Sequence, residues 1–331
     1  MVSIPFTEGK PPKPWRRALA ILPSELEERI LGLDTSLLDG LEEVRLRVGQ
    51  PLELCGRHGS LFLKTTTGVT AHVTEGLRLS SGHLNQVIQN VTQFSLYAVE
   101  EELRRGFITI PGGHRVGVAG RMVLDRDGHV KSIRTISSLN VRIAREIPGV
   151  GSSIRSHLYD KSDGRPLSTL ILSPPQCGKT TLIRDLARQW SESLLVRRKY
   201  PAKVAIVDER SEIAGCVEGV PQFAVGPRTD VLDGCPKAEG MLMAIRSLSP
   251  DIIITDEIGR VEDADAIMEA THAGVAVIAT AHASRLDEWR RRPNMDTLFT
   301  ARAFSRYVLL SRKNGPGTVD AVLDETGRVL S

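Results

Sequence analysis

The segment that most restricts the fold is Leu167 to Gln189, LSTLILSPPQCGKTTLIRDLARQ. A short apolar run passes straight into a loop ending Gly178-Lys179-Thr180, and an amphipathic helix begins at once. A strand that feeds a helix in this way predicts a parallel α/β sheet, because a strand buried on both faces needs helices to cover it. The same segment carries chemistry. The backbone N–H groups of Gln176 to Thr180 suit a β-phosphate, Lys179 the β- and γ-phosphates, and the Thr180 hydroxyl a Mg²⁺ ion. The helix N-terminus adds its own positive end. The expected binding loop therefore runs through Ser173, Pro174, Pro175, Gln176, Cys177, Gly178, Lys179, Thr180 and Thr181, with ATP and Mg²⁺ as its ligands. It departs from the GxxxxGK[ST] pattern at the first position, where Ser173 replaces Gly. Backbone donors make the contacts, so this loss is tolerable. The plain alternative is a chance GKT at a strand–helix turn. Cys177 reads as a small filler residue, with a reactive thiol beside phosphate-binding amides as the alternative.

Further apolar runs follow at intervals, KVAIVD, DIIITD and VAVIATA, alternating with helical segments. Each ends in residues of interest. The isoleucines of DIIITDE deliver Asp256 and Glu257 to the C-terminal end of a buried strand. Asp256 there suits a magnesium ion, held directly or through water, and Glu257 suits the orientation of an attacking water. The run AIVDERSEIA ends in Asp208 and Glu209, with Glu212 nearby, and Glu209 is the alternative base. VAVIATAH delivers Thr280 and His282, the latter placed to sense a γ-phosphate by hydrogen bonding. The alternatives are acids that cap the next helix and a histidine with a structural role.

The first half has a different rhythm. Ser24-Glu25-Leu26-Glu27 reads as a capping box opening a helix through Leu31. Val44, Leu46 and Val48 alternate with Arg45 and Arg47 as in a half-buried strand, and Leu52 and Leu54 continue the pattern. A helix is expected from about Gly82, with Leu84, Val87, Ile88 and Val91 on one face, and another from Leu96 to Arg105, ended by Gly106. FITI, a PGGH turn and RVGVAG predict a hairpin, and Asn140 to Arg145 alternates again. FSRYVLLSR and TVDAVLDETGRVL predict closing strands around a Gly turn. The expected organisation is a basic, Pro-rich lead over 1–21, a smaller α+β domain over 22–148, a Gly- and Ser-rich linker over 149–166 and the α/β domain over 167–331.

Bulk properties exclude several classes. A net charge of +3 and 4% aromatic residues give no basic field and few stacking rings, which disfavours nucleic-acid binding. The basic residues Arg197-Arg198-Lys199, Arg290-Arg291-Arg292 and Lys10, Lys13, Arg16 and Arg17 read as solvated faces. Four scattered cysteines (Cys55, Cys177, Cys216, Cys235) form no CxxC pair, so a reducing cytoplasm is expected. Prolines and charges near the start speak against a signal peptide, and no apolar run is long enough to cross a bilayer. The absence of an NKxD motif lowers the odds of a GTPase.

The order of these motifs resembles the core of type II and type IV secretion ATPases. The matching residues are Arg246, Pro250-Asp251, Glu257, Arg260, Gly274 and His282, with Ala205 to Glu212 as an "Asp box" and Thr280 to His282 as a "His box". A narrower likeness covers most of the chain from about Leu22. VRLRVG from Val44, GGHRVGVAGR from Gly112, VDERSEIAG from Val207 and DVLDGCPKAEGM from Asp230 resemble the stage III sporulation protein AA family. The resemblance implies a RecA-like P-loop ATPase, a hexameric ring and a mother-cell role at the membranes around the forespore. There it would energise a secretion-like channel and be held by membrane protein partners. An arginine from a neighbouring subunit often completes such a site. Arg142 and Arg145 are the candidates for that role and Arg260 for one within the subunit, against the plainer reading of all three as surface arginines. Two other functions stay open: a nucleic-acid-stimulated RecA-type ATPase or translocase, and a scaffold that binds ATP without turning it over. Glu257 speaks against the second.

Overall fold

The alternating residues of the first half and the continuous apolar runs of the second build two different sheets. A computed structural model of the chain describes residues 13–92, 99–128, 130–192, 201–293 and 295–330. It divides into two units, Met1–Arg145 and Glu146–Ser331. The run Arg197 to Lys199 and Lys10 lie outside the described residues.

In the first unit, helices α1 (Pro14–Leu19), α2 (Ser24–Leu31) and α3 (Thr35–Gly40) precede strands β1 (Leu41–Arg47), β2 (Glu53–Gly56), β3 (Gly59–Leu63) and β4 (Val69–Thr70). Helices α4 (Ser81–Thr92) and α5 (Glu100–Arg104) follow, then β5 (Phe107–Ile110), β6 (His114–Leu124) and β7 (Val130–Arg142). The strands form one antiparallel sheet in the order β4-β3-β2-β1-β7-β6-β5. Alternation works as expected in β1. Val44 and Leu46 are fully buried, while Glu43, Arg45 and Arg47 lie half-buried on the other face. There Glu43 pairs with Arg45 at 2.8 Å and Glu53 with Arg47 at 2.6 Å.

Two expectations for this half are corrected. Residues from Lys13 to Ile21 are not a lead: Trp15, Ala18, Leu19 and Ile21 are buried in the same core as Leu26, Ile30, Val87 and Val141. Burial of a side chain the size of Leu19 or Ile21 contributes roughly 1.5–3 kcal/mol, enough in sum to hold a short basic segment in this core. The α2 helix forms where predicted, but its N-cap is Pro23 with no side-chain cap, so Ser24 lies inside the first turn and no capping box forms. Of the helix expected over 96–105, residues 96–98 fall outside the described residues, and α5 covers Glu100–Arg104 of the remainder.

The second unit contains β8 (Thr169–Ser173), α6 (Lys179–Glu192), β9 (Val204–Asp208), β10 (Thr229–Asp233), α7 (Lys237–Ser247) and β11 (Ile252–Thr255). It continues through α8 (Val261–His272), β12 (Ala276–His282), α9 (Leu286–Arg290), α10 (Met295–Thr300), β13 (Arg306–Ser311) and β14 (Thr318–Asp324). The strand order is β10-β9-β11-β12-β8-β13-β14. Every neighbouring pair is parallel except the β13–β14 hairpin. Continuous apolar sequence follows from burial on both faces. Leu170, Leu172 and Ile253 join a core with Met241 and Ile267, while Ile171, Ile206 and Ile254 join another with Leu182, Leu186 and Trp190.

Residues 149–166, expected as a linker, are instead part of this unit. Ile154 and Leu158 are buried in its core. The amides of Gly149 and Gly151 donate to the buried Asp185 carboxylate at 3.0 and 2.8 Å. Two apolar anchors suffice to dock a segment whose composition is otherwise that of a loop. The run Arg290 to Arg292 is also more than a solvated face, since Arg290 lies over the Phe299 ring and Arg292 donates to the His282 carbonyl.

His114 gives the first unit a pH signature. It is 1% exposed, and its Nδ1 accepts the Ala144 N–H at 3.0 Å. Burial, with Arg17 adding to it, lowers its pKa to about 4. Between that value and the ordinary histidine range, the unfolded chain holds a proton that the folded chain refuses. Stability therefore rises with pH across the window and is lost as pH falls through it, by on the order of 3 kcal/mol in total. In urea denaturation at pH 4.5 and 7, His114→Gln should show a smaller pH dependence than the parent. An unchanged dependence would show that His114 does not titrate as its burial requires.

Candidate active site

The β8–α6 loop is shaped before any ligand is considered. Gln176 has φ 60° and Gly178 φ 88°, both in the left-handed region. A Cβ on Gly178 would lie 3.0 Å from the Gly317 nitrogen, and the Gly317 N–H donates to the Cys177 carbonyl at 2.8 Å. Glycine is therefore required at 178 both by its backbone angle and by a close neighbour. Pro174, Pro175 and Gln176 are exposed, Cys177 is buried, and Thr180 and Thr181 are half-buried in the first turn of α6.

Lys179 is 6% exposed and folds back over the loop. Its Nζ donates to the Ser173 carbonyl, the Ser173 hydroxyl and the Pro174 carbonyl, each at 3.3 Å, and to His282 Nδ1 at 3.0 Å. Burial lowers its pKa, opposed by the charge of Glu257. His282 Nε2 lies 2.8 Å from Glu257 Oε1. An ammonium group only donates and a carboxylate only accepts, so the neutral tautomer with the proton on Nε2 serves both contacts. Lys179, His282 and Glu257 thus form one hydrogen-bonded chain.

Glu257 stands at φ 43°, a left-handed conformation that costs a non-glycine residue about 1–3 kcal/mol. Thr280 holds it there: its hydroxyl accepts the Glu257 N–H and its carbonyl the Ile258 N–H, both at 2.8 Å. Arg210 reaches Glu257 Oε2 at 3.3 Å. Beside it, Asp256 is 2% exposed and its Oδ2 finds no hydrogen-bond donor among the described residues. Burial, followed by the charges of Asp208 and Glu212, pushes its pKa up to about 7. Asp208 is fully buried and accepts the amides of Glu212, Ile213 and Ala214 at 2.8 to 2.9 Å. It pins the following turn.

The structure thus brings Ser173, Pro174, Lys179, Glu257 and His282 together, with Asp256 next to them. The acid and arginine candidates make other contacts. Glu209 is paired with Lys237. Burial alone would raise its pKa, but Lys237, with Arg260 and Arg210 behind it, holds it below the usual range. Arg260 is exposed at the N-cap of α8. Arg142 and Arg145 belong to the first unit. Arg142 faces Glu43 at 3.6 Å, and Arg145 donates to the carbonyls of Asp39 and Leu41 at 2.7 and 2.8 Å. Sequence reasoning did not assign Arg210, Lys237, Arg292 or Gly317 to the site, because their contacts there are made through the fold: Arg210 with Glu257, Lys237 with Glu209, Arg292 with the His282 carbonyl and Gly317 with the Cys177 carbonyl.

Gly178→Ala should cost more than the 1–2 kcal/mol of a left-handed alanine, because its methyl group also meets Gly317. Gly274→Ala, at φ 73° with nothing within 4 Å of the added carbon, should cost only the former. Equal losses by urea denaturation would show that the close approach of the two loops has no energetic weight.

Comparison with known proteins shows the family and the fold. Residues 16–330 match the family described as sporulation stage III, protein AA. Stage III sporulation protein AA of Bacillus subtilis (strain 168) is 45% identical over 312 residues, 94% of this chain and 95% of that one. The X-ray structure of the ATPase DotB of Yersinia pseudotuberculosis matches with a TM-score of 0.56 at 14% identity, over 97% of this chain and 82% of that one. The pilus retraction motor PilT with bound ADP matches with a TM-score of 0.52 at 15% identity, over 86% and 76%. At these identities the two structures share an α/β fold with this chain. Among the described residues, no helix is long and apolar enough to cross a membrane. Sequence match along nearly the whole chain decides the family: the chain belongs to the sporulation stage III protein AA family.

Proposed function

We propose that the second unit is a RecA-like P-loop ATPase that binds ATP with Mg²⁺ and hydrolyses it to power a secretion-like channel during endospore formation. The observation that carries this reading is the hydrogen-bonded chain from Lys179 through His282 to Glu257. It joins a cation suited to phosphate with a carboxylate suited to water, at the ends of adjacent elements. The names of DotB as an ATPase and PilT as a retraction motor support the same direction.

Each residue has a physical task. The amides of Gln176 to Thr180 receive the β-phosphate, and Lys179 exchanges the carbonyls of Ser173 and Pro174 for phosphate oxygens. His282 Nδ1 then loses the ammonium and, as an acceptor, becomes free for an O–H of the attacking water. Glu257, held by Thr280 and His282, orients and polarises the attacking water. Glu209, engaged by Lys237, is the lesser candidate for that base. The donor set fits magnesium: the Thr180 hydroxyl stands in the first turn of α6, and the orphaned Asp256 oxygen offers a buried acceptor. Among the described residues no three His, Cys, Asp or Glu side chains form a metal cluster, and a nucleotide-bound Mg²⁺ needs none because phosphate and water supply most of its ligands. When bound, the ion neutralises charge that develops on the phosphates.

In this reading the subunits form a hexameric ring at a membrane complex of the mother cell, held by membrane protein partners. A neighbour's arginine would complete the site. Arg142, 63% exposed, is freer for that role than Arg145, whose guanidinium is engaged by main-chain carbonyls, and Arg260 would act within its own subunit.

Two variants test the division of labour. Lys179→Ala should weaken ATP binding and turnover together, while Glu257→Gln should keep ATP bound and lower the hydrolysis rate by about 10²-fold or more. Binding is read with a fluorescent ATP analogue and turnover by phosphate release. Normal hydrolysis in Glu257→Gln would move the base to Glu209, and equal loss of binding in both variants would refute the assignment.

A further inference from the structure

The hairpin turn between β13 and β14 touches the phosphate loop from the side opposite the reacting groups. In the sheet, β8 lies between β12 and β13. The side toward β12 and β11 delivers His282 and Glu257, and Lys179 leans to that side through its contact with His282. The γ-phosphate end of a bound nucleotide belongs there. The remainder of the nucleotide must then leave across the loop toward β13 and β14.

That side is already built. Gly317 donates to the Cys177 carbonyl at 2.8 Å and backs onto Gly178. Arg312 Nη1 reaches Gln176 Oε1 at 3.4 Å, a weak contact that places the exposed guanidinium over the loop. The turn itself is fixed from within. The Gly315 N–H donates to the Arg312 carbonyl at 3.1 Å, and the Thr318 hydroxyl donates to the Gly315 carbonyl at 2.7 Å. Its other cation, Lys313, is paired with Asp320 at 3.3 Å. Among the described residues no carboxylate pairs with Arg312, so its planar cation is available to a ligand.

We propose that the turn from Arg312 to Gly317 is the wall of the nucleoside end of the site, with the Arg312 guanidinium stacking on the base of the bound nucleoside triphosphate. Arg312 is then a base-binding residue, and stacking of this kind accepts any base. A guanidinium plane over an aromatic face gains from both charge and stacking, which an ammonium group does not reproduce. Gly317 shapes the phosphate loop from behind and takes no part in recognising the base. This inference rests on the ATPase reading above and adds to it where the base lies.

The test uses two probes on the full chain, ATP and inorganic tripolyphosphate, with Mg²⁺ present, measured by calorimetry. The parent should bind ATP more tightly than tripolyphosphate. Arg312→Ala should lose roughly 3- to 30-fold in ATP affinity and change tripolyphosphate affinity less than twofold. Arg312→Lys should resemble Arg312→Ala. The exposure of Arg312 leads to an unchanged thermal midpoint in both variants. Equal losses for the two probes, no loss of ATP affinity, or full rescue by lysine would overturn the stacking role while leaving the phosphate site intact. A parent that binds neither probe would overturn the nucleotide reading and this inference with it.

Discussion

An ammonium group at 6% exposure needs acceptors around it, because burial of an unpaired charge costs several kcal/mol. Lys179 obtains them from three sources: carbonyls and a hydroxyl of its own loop, an imidazole nitrogen from the end of β12, and, through that ring, the carboxylate after β11. The requirement links separate elements. The loop must reverse so that its carbonyls face inward, which needs left-handed backbone at Gln176 and Gly178. The C-terminal ends of the strands must lie on one edge of the sheet, which the parallel pairing of β8, β11 and β12 provides. The apolar runs beneath are what hold those ends in place.

Much of this was legible in the sequence because it is local or periodic. The strand–loop–helix of Leu167 to Gln189 needs only its own residues, and the run of isoleucines at Ile252 to Ile254 can hardly be anything other than a strand covered on both faces. Strand ends follow from strand positions, so Glu257 and His282 could be named beforehand. The unread parts depend on where distant segments settle. The segment of residues 149–166 has the composition of a linker, and only Ile154 and Leu158, too far apart to show a period, tie it down. Trp15 and Leu19 lie among prolines and basic residues that hide an apolar face one helical turn long. Gly317 is a turn glycine by sequence; its approach to Gly178 is set by a hairpin closing more than a hundred residues later.

The two units also answer differently to charge. On the half-buried face of the first sheet, Glu43 and Glu53 lie between Arg45, Arg47 and Arg142, and opposite charges alternate across neighbouring strands. Such pairs contribute little each, about 0–1 kcal/mol, but they fix register where both faces are not apolar. The second unit places acids instead at the ends of buried strands. Asp208 is satisfied by three amides, whereas Asp256 is not, and the contrast between two equally buried carboxylates separates a structural role from an available one.

Glu257 adopts a backbone conformation that most glutamates avoid, and the hydroxyl and carbonyl of Thr280 keep it there. The strain is therefore taken up once, when the chain folds, and it sets the direction in which the side chain of Glu257 leaves the backbone. The carboxylate at its end is then steadied by two separate partners, His282 on one oxygen and Arg210 on the other. Backbone and side chain of one residue are thus anchored independently, so the loss of a single contact leaves the other anchors in place.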